Sequence, residues 1–334
     1  MIYKNSIVDI ENFGYLNLKV EKDFNLVEGI LQLKKEKNAV IMAHYYQKGE
    51  IQDIADYVGD SLALARDAEN VNADIILFSG VHFMGETAKI LSPDKKVIIP
   101  DMKAGCSLAD SCNPVDFENF LKENPDRIVV SYVNTSAEIK ALTDIVCTSS
   151  NALEIVESLP KGQKIIFAPD RNLGNYIKSR TDRDILVWDG ACHVHEAFSV
   201  ERILEIKEKN PDAKIIAHPE CEKPVLILAE HIGSTKSLLE FTKTDDSRKY
   251  IVATESGILH QMIKANPDKE FIAAPPKDST CACNDCNYMK LNTLEKIYIA
   301  LKHELPTIEM DERLMNEARK PIKKMLDISA KLSI

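Results

Sequence analysis

No apolar run in the 334 residues reaches the length of a membrane span, and the N-terminal "MIYKNSIVDIENFGYLNLKV" has neither the basic start nor the continuous apolar stretch of a signal peptide. The chain is therefore expected in the cytosol. A positive surplus is missing too: 42 Lys and Arg against 52 Asp and Glu leave a net charge of −10, which excludes a broad basic footprint for nucleic acid or an anionic membrane. An anionic substrate must then be held by local devices such as helix N-termini. Nor is there a compact metal knuckle. Cys281, Cys283 and Cys286 crowd into "TCACNDCNYM", but no second close doublet of Cys or His accompanies them, as a four-ligand zinc module would need. Cys106, Cys112, Cys147, Cys192 and Cys221 are scattered upstream. In a reducing compartment these cysteines are expected to be free, metal-bound or redox-active rather than paired as a disulfide framework. What is present is a globular composition, 45% hydrophobic and 28% charged, on a chain long enough for two or three cores.

Three apolar, β-branched stretches, "NAVIMAHYYQ", "RIVVSYVNTS" and "AKIIAHPECE", read as buried strands that end abruptly in polar residues. Aligning the strand ends puts His44, Tyr132 and His218 in one column and Tyr46, Asn134 and Glu220 in a second. Farther on, "GDSLALA", "TSSNALEIV" and "GSTKSLLEF" each start a helix with a small hydroxyl residue, giving a third column of Ser61, Ser149 and Ser234. Each copy then runs into a strand ("ADIILFSG", "QKIIFAPD", "KYIVATES"), a helix, and a last strand that closes on cysteine. The unit recurs about every 86 residues, longer than a solenoid repeat, and its order predicts three similar α/β domains with short parallel sheets. The expected organisation is a segment 1–37 packing on the first domain, repeats at 38–110, 111–197 and 198–288, and C-terminal helices in 289–334 that pack back on the first domain.

Ligands of parallel sheets gather beyond the carboxyl ends of the strands, where the polar columns and the repeat-end cysteines fall. A pseudo-threefold arrangement would bring Cys106, Cys192 and one cysteine of the last cluster together. Three thiolates leave a site one ligand short, and so soft a set favours zinc or an iron–sulfur cluster. A pure electron carrier normally has every iron held by protein, so an open position points instead to a Lewis acid for dehydration. Around it, His44, His195 and His218 suit proton transfer, Glu220 is an acid or base, and Tyr46 can donate a proton or hydrogen bond. "SSNA" and "GSTKS" offer hydroxyls and backbone N–H groups to phosphate or carboxylate, although the same residues also serve as plain helix caps. Cys112, Cys147 and Cys221 read as small buried apolar residues. Two other classes stay open: a zinc hydrolase or hydratase, which metal content separates, and a redox or iron-sensing protein, against which the matched polar rows and acidic charge count.

Taken together, "AHYYQ", "GDSLALA", "AGCSLADSC", "GACHVHE", "AHPEC", "GSTKSLLEF" and "CNDCNYM" resemble the quinolinate synthase family, in order and at consistent spacing from Ala39 to Met289. The resemblance implies condensation of iminoaspartate with dihydroxyacetone phosphate to quinolinate, phosphate and water, a transferase and dehydratase reaction of NAD biosynthesis. It implies one 4Fe–4S cluster at the junction of the three domains, with Cys106, Cys192 and Cys286 as ligands and one iron open. It also implies His44, Tyr46, His195 and Glu220 as catalytic residues. As substrate contacts it implies His44, Tyr46, Ser61, Tyr132, Asn134, Ser149, His218, Glu220, Ser234 and Thr235. The departure lies in the last cluster, where many members read Cys-x-x-Cys-x-x-Cys-Pro and this chain has Cys281, Cys283 and Cys286 followed by Asn287. One intervening residue strains a disulfide between Cys281 and Cys283, so a redox switch there is the weaker reading. Beyond the two substrates, pathway logic adds an L-aspartate oxidase as supplier of iminoaspartate. Neither nucleic acid nor membrane is expected as a partner.

Overall fold

The β-branched runs become strands, and the computed structural model describes residues 2–278 and 284–333. The expectations for Cys281 and Cys283 lie outside the described residues. In the first sheet β1 (Ala39–His44) lies between β2 (Tyr57–Gly59) and β3 (Ile75–Ser79), with β4 (Lys96–Ile98) beyond β3. The second sheet repeats the pattern with β5 (Ile128–Tyr132), β6 (Ile145–Cys147), β7 (Ile165–Ala168) and β8 (Ile185–Val187), and the third with β9 (Lys214–Ala217), β10 (His231–Ile232), β11 (Lys249–Ala253) and β12 (Glu270–Ala273). All pairings within these sheets are parallel. Strands such as β3 and β7 are buried along their whole length, which is why they read as unbroken apolar runs rather than alternating ones. The fold is α/β, with three similar parallel sheets.

The sequence predicted three strands per copy, and each sheet has a fourth. The extra strands β2, β6 and β10 are only three, three and two residues long, too short to show a period. A side-chain device fixes each of them. Asp56, Asp144 and Glu230, directly before these strands, accept the backbone N–H of Ile41, Val129 and Ile215 at 2.8, 2.8 and 2.6 Å. Their own N–H groups donate back to the carbonyls of the same three residues. A side-chain carboxylate accepting from the neighbouring strand's N–H, with a returned backbone bond, sets the register of a strand too short to set its own.

The chain forms two compact units. The first runs to Cys106 and takes up Asn287–Asn316; its core packs Ile41, Ile51, Leu77 and Ile98 with Ile30 and with Ile297 and Leu301. The second spans Ser107–Cys286 and the chain from Glu317, and carries the second and third sheets. Its cores are built on Phe117, Val129 and Ile166, and on Ile203, Ile215 and Ile251. The C-terminal helix Glu312–Leu332 buries Ala318, Ile322, Met325 and Ser329, the three-to-four-residue stripe expected of an amphipathic helix. It was expected on the first domain, yet from Glu317 onward it belongs to the second unit, where Asn151 Nδ2 donates to Ser329 Oγ at 2.9 Å. An apolar stripe does not name its partner; the buried Asn151–Ser329 pair is one contact that does. No helix among the described residues is long and apolar enough to cross a membrane.

Candidate active site

In the first unit the chain turns sharply at the end of β1, so that the N–H of Tyr46 donates to His44 Nδ1 at 3.2 Å and the two rings meet edge-on, 4.5 Å apart. Lys290 Nζ holds the Tyr46 carbonyl at 2.7 Å. Ser61 is the first residue of the helix Ser61–Asn70, but the cap is Asp60, which accepts the Ala63 N–H. Cys106, half-buried, ends the first segment of this unit.

The third copy repeats the turn at the end of β9, where the Glu220 N–H donates to His218 Nδ1 at 3.3 Å. With Nδ1 accepting, the proton sits on Nε2, which faces Ser149 Oγ of the second copy at 3.1 Å. Glu220 is the hub of the second unit. Tyr132 at the end of β5 donates its hydroxyl to Glu220 Oε1 at 2.6 Å, and His195 Nδ1 lies 3.2 Å from Oε2. The His195 and His218 rings are 4.7 Å apart, and His195 Nε2 meets Thr254 Oγ1 at 3.0 Å. Glu220, His195, His218 and Tyr132 are all buried. The columns read from strand ends thus supply three of four members, and His195 follows Cys192 by three residues.

Burial works against the Glu220 charge, but the His195 and His218 imidazoles and the hydrogen bonds from His195 and Tyr132 outweigh it and hold the carboxyl well below the usual range. It is a carboxylate. Burial pushes His218 down to about 3, with Glu220 opposing and His195 assisting. A depressed folded pKa means that below the unfolded value of 6.5 the unfolded chain takes up a proton that the folded chain refuses, so stability falls as pH drops through 6.5 toward 3. Urea unfolding of wild type and His218→Asn should show this: between pH 6.5 and about 5 the wild type is expected to lose on the order of 1–2 kcal/mol more than the variant. Parallel losses in the two proteins would remove His218 as the source.

A second cluster of hydroxyls joins the same two copies. Ser150 Oγ donates to Ser234 Oγ at 2.8 Å, and Ser234 caps the helix Thr235–Thr244 by accepting the Ser237 N–H. The three serines of the predicted column are therefore not equivalent: Ser61 opens its helix, Ser234 caps its own, and Ser149 precedes Asn151, the cap residue of Ala152–Ser158. Thr235 is buried beside Ser234. Asn134 Oδ1 is a buried acceptor with no partner among the described residues.

The cysteines divide by environment. Cys112, Cys147 and Cys221 are buried, and burial pushes all three thiols up, Cys112 to about 12, which suppresses the thiolate that metals require. Cys106, Cys192 and Cys286 are half-buried and follow the last strand of each copy. As half-buried soft donors at equivalent places of their own copies, each of these three has donor chemistry suited to a metal. His195 Nδ1 also lies 3.2 Å from Cys192 Sγ, and Cys192, His195 and Glu220 form a group whose S, N and O atoms can hold a metal ion.

The sequence reading missed Asp170, Thr254 and Glu255. Asp170 and Glu255 each stand two residues beyond the third strand of their copy, after β7 and β11, and both are fully buried. Burial raises the Asp170 carboxyl, and the Glu220 charge adds to the effect. Extending the column alignment into "FAPD" and "VATES" would have paired them.

Residues 28–327, which include all three sheets, match the family described as Quinolinate synthetase A protein. A protein named quinolinate synthase from a Synechococcus species is 56% identical over 306 residues, 92% of this chain and 96% of that protein. Another from Thermosynechococcus vestitus is 58% identical over 91% of this chain and 96% of its own length. The chain belongs to the quinolinate synthase family. A third relative of that name, from Chloroherpeton thalassium, is 55% identical over 91% of this chain and 95% of its own. The quinolinate synthase match covers every residue placed above in the Glu220 hub and the hydroxyl cluster.

Proposed function

We propose that the chain condenses iminoaspartate with dihydroxyacetone phosphate to form quinolinate, phosphate and water in NAD biosynthesis. Family membership supports the activity. The observation that carries the chemistry is Glu220, a buried carboxylate that receives the Tyr132 hydroxyl from the neighbouring copy and lies against His195. Cys106, Cys192 and Cys286 would hold a 4Fe–4S cluster, whose open iron supplies a Lewis acid for loss of water.

The protein's own groups do the rest. The reaction needs protons removed and returned during phosphate loss, isomerisation of the carbonyl and ring closure. Glu220, ionised and hydrogen-bonded by Tyr132, lies against His195, so the pair can take up a substrate proton with the carboxylate balancing the imidazolium that forms. His44 and Tyr46 are the corresponding catalytic groups of the first copy. Both substrates carry anionic groups. Ser234, Thr235 and the N–H groups opening the helix Thr235–Thr244 suit phosphate, and Ser149 with His218 Nε2–H suits a carboxylate. Asn134 Oδ1, buried and unpartnered among the described residues, is suited to a substrate donor. Ser61 completes the proposed contacts. This reading carries with it the cytoplasmic setting and the L-aspartate oxidase supplier expected from the sequence.

Protein purified without oxygen should form quinolinate from the two substrates, and no product in the presence of bound iron and sulfide would overturn the proposal. Ser234→Ala with Thr235→Ala should raise KM for dihydroxyacetone phosphate about tenfold or more, because hydrogen bonds to a charged group are lost. An unchanged KM would reject the phosphate role. Zinc held by Cys192, His195 and Glu220 is the second reading, favoured by the closeness of their donor atoms; zinc without sulfide in the purified protein would select it.

A further inference from the structure

Glu255 is fully buried, and a carboxylate in such a place must be compensated by hydrogen bonds. Both of its oxygens accept backbone N–H groups: Oε1 from Cys286 at 3.0 Å, and Oε2 from Gly257 at 2.7 Å. The next residue, Ser256, donates its hydroxyl to Asp285 Oδ1. Two consecutive residues at the exit of β11 thus hold two consecutive residues of the cysteine loop. Gly257 directly precedes the helix Ile258–Ala265, so the carboxylate ties the loop to a strand end and a helix start together. At the same position of the second copy stands Asp170, also fully buried, and the Cys192 N–H points toward its carboxyl.

We propose that Glu255 is a positioning residue: it fixes the backbone of Cys286, and hence its thiolate, for the metal centre. The proposal rests on the reading of Cys286 as a cluster ligand. It gives Cys286 an anchor that the described residues show directly. A thiolate ligand is useful only if its sulfur is held where the metal needs it, and the partners that orient ligands typically carry a ten- to hundredfold effect on metal retention. A loop anchored only by its neighbours in sequence would leave Cys286 to sample many positions.

Glu255→Gln keeps the shape and removes one acceptor. The amide can take one N–H but turns its own NH2 toward the other, so the two backbone donors are not both satisfied. Two rates are read. In cluster-free protein, alkylation of Cys286 by iodoacetamide, followed by mass spectrometry, should accelerate at least threefold, with Cys106 and Cys192 at their wild-type rates. In protein loaded without oxygen, loss of iron to a chelator should accelerate about tenfold. Either rate unchanged overturns the proposal. Failure of the cluster reading looks different, because wild type itself would then take up no iron and sulfide. If Glu255→Gln does not fold by circular dichroism, Glu255→Asp carries the test: it keeps the charge but is one methylene short of reaching both N–H groups, and should still speed Cys286 alkylation. An unchanged rate in that variant overturns the anchoring.

Discussion

Glu220→Gln is expected to lower quinolinate formation about a thousandfold while leaving the iron and sulfide content of the protein at the wild-type level. Glutamine preserves volume and can still accept the Tyr132 hydroxyl now 2.6 Å from Oε1, so the walls of the site should stand. What disappears is the charge. Glu220 is held as a carboxylate, against the cost of its burial, by His195 and Tyr132, and an amide in its place can neither accept a proton nor balance charge on a protonated His195. Removal of a general base typically costs two to four orders of magnitude in rate, and the loss should fall on kcat more than on KM. Near-normal turnover would take Glu220 out of the mechanism and leave its hydrogen bonds as architecture.

The second large effect concerns the thiols. Anaerobically prepared wild type should contain about four iron and four sulfide per chain, and Cys106→Ser, Cys192→Ser and Cys286→Ser should each lose most of both. Cys112→Ala should keep them, because Cys112 is sealed in a core with its thiol pushed up to about 12. The contrast follows from thiolate availability: a half-buried cysteine in a loop can deprotonate onto a metal, whereas one inside a packed core would first have to bring a charge into apolar surroundings. Iron retained without Cys106 or Cys192, or zinc in place of iron and sulfide, would defeat the three-cysteine proposal.

Much of this was legible early. His44 and His218 were aligned because each ends a strand and is followed two residues later by a polar side chain, and the structure supplies the reason for that spacing: the second residue returns its N–H to the imidazole in both copies. One edge strand of each sheet, β2, β6 or β10, was not legible at two or three residues, and neither were the acids Asp56, Asp144 and Glu230 that anchor them. Glu255 and Asp170 escaped for another reason. An acid after a strand is ordinarily a solvated turn residue, and only burial marks these two as something else.

Three strands of each copy, their threefold repetition and the residue types at their ends follow from the sequence, because hydrophobic periodicity and abrupt polar stops are local properties of a chain. Which of those ends meet is set by how the sheets pack. Tyr132 and Glu220 are 88 residues apart, and Ser150 and Ser234 are 84 apart, so each pair is made by the packing of two sheets rather than by any spacing. The same packing sorted the described cysteines into sealed and half-buried groups and set the ionisation of Glu220 and His218. Burial and through-space charge belong to neighbours in the fold, and no stretch of sequence contains them.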